Sequence, residues 1–272
     1  MTGLELNRAL HSKKRVYGTL IVSPSPHYPD AVKAAGLDFV FLDTEHIALD
    51  RMQLSWMCRT YRAMHLAPIV RIAEPDPFLA CIALDGGAEG VIAPYIETPE
   101  QVRALYGAVK LRPLKGRRLE HAVHDRERLE PRLSKYLADR NAGNVLILNI
   151  ESVPALEALD DILSVPGVDA VQVGPHDLSC SLGIPEDYHH PKFEEAILHI
   201  IETSMKHKVG VGVHFFWEDL EQEMKFIRWG ANLVVHFADI TIFKQTITRN
   251  IARYRDAFGD NQTGAAEDIP AI

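Results

Sequence analysis

Several apolar runs in this 272-residue sequence end in charged residues that could do chemistry together. Asp43-Thr44-Glu45-His46 closes one run, Arg71 the next, Glu151 another, Gly174-Pro175-His176-Asp177 follows a fourth, and Asp239 closes the last. An acid at the end of a buried strand is costly without a partner, and one metal ion satisfies several carboxylates at once. Glu151 and Asp177 stand at the ends of consecutive runs, close enough to share an ion. Two carboxylates without a Cys–His cluster suit a hard, octahedral cation, Mg2+ first, with Mn2+ or Co2+ as alternatives. The same residues could equally act locally, Glu151 capping the following helix and Asp177 opening its own loop. Spacing alone does not choose between these readings.

The elements that must position these groups alternate regularly. β-rich runs cover 17–23, 39–46, 68–73, 90–95, 145–152, 170–174, 209–215 and 233–239, most of them apolar almost throughout, as parallel strands covered on both faces should be. Helical stretches lie between them, among them 29–35, 51–64, 99–109, 154–163, 192–206 and 220–229, and Thr98-Pro99-Glu100 is a helix-start signal. Gly36, Gly86-Gly87, Gly167 and Gly230 mark helix ends that need positive φ. Eight strand–helix units without a composition break predict a single (β/α)8 TIM barrel over 1–258, with a doubly wound sheet as the alternative. The interval after the fourth strand is about twice the usual length. Its excess, 111–144, is expected to be an insertion with a helix near 129–139, placed where it could cover the site. Residues 259–272 are polar and aperiodic, as in a loose tail.

Composition excludes other classes. A net charge of −8 is unsuited to a general nucleic-acid or membrane-surface binder, which needs a positive field. The 47% hydrophobic content is that of a globular protein. The cysteines Cys58, Cys81 and Cys180 form neither a CxxC pair nor a disulfide framework, which points to a reducing cytoplasm. No apolar run reaches the roughly 18 residues that span a bilayer, and the first residues lack the core of a signal peptide.

At its charged strand ends the sequence resembles the HpcH/HpaI aldolase family, the metal-dependent class II pyruvate aldolases. The resemblance extends over about 16–257 and rests on ordered motifs: Phe-Leu-Asp-Thr-Glu-His at 41–46, Val-Arg at 70–71, Ala-Leu-Asp-Gly-Gly-Ala-Glu-Gly-Val-Ile-Ala-Pro at 83–94, Gly-Arg-Arg at 116–118, Asn-Ile-Glu-Ser at 149–152 and Val-Gly-Pro-His-Asp-Leu-Ser at 173–179. It implies a (β/α)8 barrel in a homo-oligomer, a trimer or a trimer-based hexamer. Glu151 and Asp177 match the family's metal ligands, and the metal acts as a Lewis acid on the keto oxygen of a 2-oxo acid. Arg71 matches an arginine that faces the developing enolate; a salt bridge to Asp43 or Glu45 is its other reading.

His46 matches the histidine that handles the aldol proton, a task suited to a side chain titrating near neutrality. Asp43 could orient that imidazole, and Asp85 corresponds to an acid that reaches a neighbouring subunit's site. Glu45 could hydrogen-bond a water on the metal or form a local ion pair. The backbone of Gly174, Pro175, His176 and Asp177 is expected to offer N–H groups to the substrate carboxylate. Two positions depart from the pattern: His176 stands where a small residue is frequent, and Arg118 where a glycine is usual. His214 and His236 match no family function. The resemblance therefore implies cleavage of a 4-hydroxy-2-oxo acid to pyruvate and an aldehyde, or the reverse condensation. Related barrels decarboxylate oxaloacetate, and the macrophomate synthase branch traps the same enolate differently. A catalytically silent binding barrel would have lost Glu151, Asp177 or Arg71; this sequence keeps all three.

Overall fold

The computed structural model describes residues 1–124, 128–217 and 219–260. The strands β1 (Val16–Ile21), β2 (Phe39–Asp43), β3 (Ala67–Arg71), β4 (Gly90–Ala93), β5 (Val145–Ile150), β6 (Ala170–Val173), β7 (Gly210–Phe215) and β8 (Leu233–Ala238) run parallel and close into a barrel in sequence order. Closure removes the open edges that a doubly wound sheet would have. Helices occupy the intervals: α1 (Gly3–His11), α2 (Tyr28–Ala34), α3 (Arg51–Ala63), α4 (Pro77–Gly86), α5 (Pro99–Lys110), α6 (Gly116–Val123), α7 (Pro131–Asn141), α8 (Val153–Glu157), α9 (Leu159–Leu163), α10 (Pro175–Ser181), α11 (Pro191–His207), α12 (Leu220–Trp229) and α13 (Asp239–Phe258).

Strand periodicity divides the core into two layers. Phe39 and Phe41, Ala67 and Ile69, Val145 and Ile147, and Leu233 and Val235 form one cluster inside the barrel. Their alternates, including Val40, Leu42, Val70, Leu146, Leu148, Val171 and Val173, pack outward on the helices. β7 and β8 approach so closely that a Cβ on Gly212 would lie 1.7 Å from the Leu233 carbonyl oxygen, so only glycine fits there. The expected glycines Gly36, Gly87, Gly167 and Gly230 do adopt positive φ, whereas Gly86 closes α4.

The expected strands run past the observed ones at their C-terminal ends, at 44–46, 72–73, 94–95 and 151–152 among others. There the chain leaves the ladder to bring polar side chains over the barrel mouth; the N–H of Glu45, for instance, turns back to Asp43 Oδ1 at 3.0 Å. The single helix expected at 154–163 is broken at Ala158, whose ψ is 4°.

α1 was not legible as an element. Leu6, Ala9 and Leu10 from it join the inner cluster and close the end of the barrel where the strands begin. A buried acid at the start of β6 ties it down: Asp169 accepts from Asn7 Nδ2 at 2.6 Å, Lys110 Nζ at 2.5 Å and the Leu146 N–H at 2.8 Å, with His11 Nε2 at 3.0 Å.

Among the described residues the insertion contains two helices rather than one, and α7 is displaced to this same end. Its Leu137 and Asn141 line a cleft with Leu4, Asn7 and Arg8 of α1, and Asn141 donates to the Arg112 carbonyl at 2.8 Å. The reason is geometric: α7 leads directly into the start of β5 and must end where strands begin. It does not cover the mouth, as its place after β4 suggested. Of the tail at 259–272, all but Gly259 and Asp260 lies outside the described residues.

Asp169 is 3% exposed, so its removal leaves the half-buried Lys110 ammonium with only the Asn144 carbonyl, at 2.6 Å, and a buried Leu146 N–H without its partner. We expect Asp169→Ala to lower unfolding free energy by about 3–5 kcal/mol in chemical denaturation, because breaking a buried pair leaves an uncompensated charge. Asn7→Ala should cost only about 1 kcal/mol, the net worth of one hydrogen bond.

Candidate active site

β2 and β3 end side by side, with Asp43 opposite Arg71 in the ladder. The guanidinium grips the carboxylate through Nε to Oδ1 at 2.8 Å and Nη2 to Oδ2 at 2.6 Å, a planar two-point match. Burial works against both charges. The Arg71 guanidinium nonetheless holds the Asp43 carboxyl below the usual range, and Asp43 holds Arg71 above its ordinary value. Arg71 Nε also lies 3.1 Å from Glu45 Oε2, and its carbonyl accepts from Thr44 Oγ1 at 2.6 Å. Phe41 lies 5.4 Å from the guanidinium carbon. His46 is exposed, with Nε2 3.7 Å from Glu45 Oε1. Asp43 therefore orients Arg71, not the imidazole as expected, because the neighbouring strand presents a two-pronged donor to both its oxygens.

β5 and β6 supply the other wall. Glu151 is buried; its Oε1 accepts from the Tyr95 N–H at 2.8 Å and its Oε2 from Asn149 Nδ2 at 3.0 Å. Burial pushes the Glu151 carboxyl up, the Tyr95 N–H opposes this, and the Asp177 and Glu45 carboxylates push it further. Asp177 lies in the first turn of α10 and is exposed. Gly174 joins the two acids. A Cβ there would meet Glu151 Oε2 at 2.7 Å and Asp177 Oδ2 at 3.6 Å, so both carboxylates look onto one small space that only glycine leaves free. Among the described residues no third His, Cys, Asp or Glu joins this pair as a ready-made metal cage.

Other expected residues fall differently. The Gly174 N–H is taken by the Ile150 carbonyl at 3.4 Å and Pro175 has none, so only His176 and Asp177 carry first-turn N–H groups without an intrahelical acceptor. The His176 side chain turns outward, 3.5 Å from Glu186. Asp85 sits exposed on α4, paired with Arg112 and away from this chain's own cluster. Arg118 pairs with Glu130 inside the insertion. Asp239 is structural: it accepts from the Val22 and Ser23 N–H groups at 3.0 Å each and secures the end of β1. His236 leans on Glu223 at 2.8 Å outside the barrel.

Two site residues escaped the sequence reading. Asn149 had a usable signal, since a residue two places before Glu151 on a strand faces the same way. Tyr95 had none; its φ of +53° is set by tertiary contacts.

Comparison with known proteins decides the family: residues 18–244 match the family model described as HpcH/HpaI aldolase/citrate lyase. The chain belongs to the HpcH/HpaI family. It is thus an enzyme of the class II pyruvate aldolase kind, a carbon–carbon lyase. A 2-keto-3-deoxy-L-rhamnonate aldolase of Klebsiella pneumoniae is 30% identical over 240 residues, 88% of each chain. The crystal structure of an HpcH/HpaI aldolase from Desulfitobacterium hafniense superposes with a TM-score of 0.82 at 26% identity, covering 94% of this chain and 99% of that one. A citrate synthase, SbnG, follows with a TM-score of 0.78 at 27% identity, covering 95% and 100%.

In this HpcH/HpaI barrel His214 lies beneath the site as a structural group. It is buried, its Nε2 is 3.0 Å from the Phe237 carbonyl, and its ring is 3.8 Å from that of Phe216. Burial pushes its pKa down to about 3, against an ordinary value of 6.5. Between those values the unfolded chain binds a proton that the folded chain does not, so stability is lost as pH falls from 6.5 toward 3. His214→Asn keeps a donor for Phe237 without the proton. We expect the slope of unfolding free energy against pH between these limits to drop by about 1.4 kcal/mol per pH unit, one proton's worth. An unchanged slope in urea titrations across that range would show that His214 is protonated in the fold.

Proposed function

We propose that this enzyme is a divalent-cation-dependent aldolase that cleaves 4-hydroxy-2-oxo acids, of the 2-keto-3-deoxy sugar-acid kind, to pyruvate and an aldehyde, or condenses them. The observation that carries this reading is the convergence of Glu151 and Asp177 over Gly174, with the buried Arg71 within electrostatic reach of Glu151. The donor set fits a hard cation. Its charge would offset the burial and the neighbouring carboxylates that raise Glu151, and the buried Asn149 Oδ1, which has no hydrogen-bond partner among the described residues, suits the water around it. Glu151 and Asp177 would hold Mg2+, or Mn2+ or Co2+ in its place. When bound, the cation supplies Lewis-acid polarisation of the keto group.

The chain's own residues account for the remaining chemistry. In cleavage the C4 hydroxyl loses its proton, the C3–C4 bond breaks, and its electron pair passes into the C2–C3 enolate as the aldehyde departs. Protonation of C3 then yields pyruvate. His46, exposed at the mouth with Glu45 beside it, takes the hydroxyl proton. Arg71 faces the enolate oxygen; Asp43 occupies Nε and Nη2, and Nη1 makes no hydrogen bond among the described residues, so that donor serves the substrate. Asp43 is a positioning residue. The N–H groups of His176 and Asp177 at the start of α10 bind the substrate carboxylate. Oxaloacetate yields the same enolate by losing carbon dioxide, so its decarboxylation belongs in the same assay.

Chelation by EDTA should abolish pyruvate release and added Mg2+ should restore it. Glu151→Gln should lower kcat by at least about 100-fold, since it removes one of two anionic ligands and the charge that holds the ion. Activity surviving both treatments would sink this scheme.

The reading extends to assembly. Of the twenty residues of α13 only Asp239 is buried, and Phe243, Ile247, Ile251, Tyr254 and Phe258 form one exposed stripe at helical spacing. A patch this long marks an interface, and we assign it to a second copy within a homo-oligomer, a trimer or hexamer. Ile247→Glu with Ile251→Glu should shift sedimentation to the monomer mass while far-ultraviolet dichroism stays native; an unchanged sedimentation coefficient refutes the assignment. Asp85 lies outside this chain's cluster, and in such an assembly it would exchange its Arg112 partner for a neighbouring site. Among the described residues no helix is long and apolar enough to cross a membrane. The thiols of Cys58, Cys81 and Cys180 are free, in keeping with a reducing cytoplasm.

A further inference from the structure

The carboxylate that ties α1 to the barrel has every acceptor position taken. Asp169 Oδ1 accepts from Asn7 Nδ2 at 2.6 Å and lies 3.0 Å from His11 Nε2. Its Oδ2 accepts from Lys110 Nζ at 2.5 Å and from the Leu146 N–H at 2.8 Å. Two carboxylate oxygens offer about four lone-pair positions, so Asp169 has no place for a proton of its own. The His11 nitrogen that faces it must therefore carry a hydrogen.

The other ring nitrogen faces a second acceptor. His11 Nδ1 lies 3.0 Å from the carbonyl of Lys208, the residue that ends α11 with φ at +61°. A backbone carbonyl cannot donate, so Nδ1 must carry a hydrogen as well. Neutral imidazole has one N–H; only imidazolium has two. His11 makes both bonds as a cation. Its place suits that charge, because the dipole of the 17-residue α11 favours a cation at the helix C-terminus.

The charged groups that face the ring act in opposite senses. The bond to Asp169, at the start of β6, raises the His11 pKa above its ordinary 6.5, burial lowers it, the Lys208 carbonyl of α11 adds to the rise, and Lys110 of α5 opposes it. The side chain is 40% exposed, so solvent protons reach it. His11 is also the last residue of α1, next to Leu10 of the plug. Leu10 packs on the first residue of β7, where a Cβ on Gly210 would meet its Cδ2 at 2.8 Å. A titrating ring and the residue that closes the barrel are thus neighbours in the chain.

We propose that His11 is a pH-sensitive latch on the end of the barrel where the strands begin: as imidazolium it pins the last turn of α1 both to Asp169 and to the end of α11, and on losing its proton it releases one of the two and loosens the plug. The folded chain holds this proton more tightly than the unfolded chain. The latch therefore contributes fully below 6.5, and its contribution is lost as pH rises through the raised folded value. It lies at the opposite end from the mouth and does not depend on the aldolase reading.

Nitrogen-15 labelling of the histidines reads the ring directly. At pH 6.5 the His11 imidazole of the wild-type enzyme should be mostly doubly protonated in two-dimensional spectra, with its midpoint above that value. Amide hydrogen exchange of the α1 peptide, corrected for its intrinsic pH dependence, should lose about tenfold in protection between pH 6.5 and about 9, the worth of one charge-assisted hydrogen bond at a half-exposed site. His11→Gln supplies a donor that does not titrate, and its protection should stay level over the same range. A wild-type ring with one bare nitrogen at pH 6.5 overturns the latch, and that spectrum requires no variant to fold. Equal loss of protection in wild type and His11→Gln overturns it too.

Discussion

Glu45, Glu151 and Asp177 crowd one rim of the barrel against their mutual repulsion, and the surrounding structure is organised to hold them there. Glu151 shows the tension most clearly, since burial and two neighbouring acids all disfavour its charge. Two neutral donors steady it, the Tyr95 N–H and the Asn149 amide. One full positive charge, Arg71, stands within reach but is already gripped by Asp43. The cluster thus keeps excess negative charge in a largely buried place. A cation would offset that charge, and the proposed function assigns one to this place.

The barrel separates rigidity from function along its axis. Where the strands begin, α1 plugs the interior with Leu6 and Leu10, and Asp169 gathers a lysine, a histidine, an asparagine and a backbone N–H around one carboxylate. Its polar groups face one another, and the insertion helix α7 packs alongside them. Where the strands end, the polar groups face outward to an open space, and some are left without partners.

Backbone geometry does as much as side-chain identity at the mouth. Gly174 matters for the side chain it lacks, since any Cβ would intrude on the space between Glu151 and Asp177. Tyr95 matters for a conformation that no property of tyrosine would suggest. His214 lies beneath the site as an uncharged support, so that Arg71 has no competing cation at its back.

The sequence by itself determined the barrel and half of the site. Apolar runs of strand length, helical intervals and returning glycines specify eight repeated units, because burial on both faces and positive φ are local demands visible residue by residue. Glu151, Asp177 and Arg71 were legible because each stands at the end of such a run, and motif spacing then tied them together. Strand ends were overextended because the mouth residues follow the apolar runs directly, with no local signal that marks where the ladder stops. Only the tertiary structure decided who pairs with whom. It gave Asp43 to Arg71 instead of His46, took the Gly174 N–H for the ladder, turned His176 outward and sent α7 to the far end. It also brought Tyr95 and Asn149 onto Glu151 and placed α1 beneath the barrel. These are contacts between residues far apart in the chain, or between adjacent strands whose register is set by closure, and no local pattern encodes which of several nearby acids a guanidinium will choose.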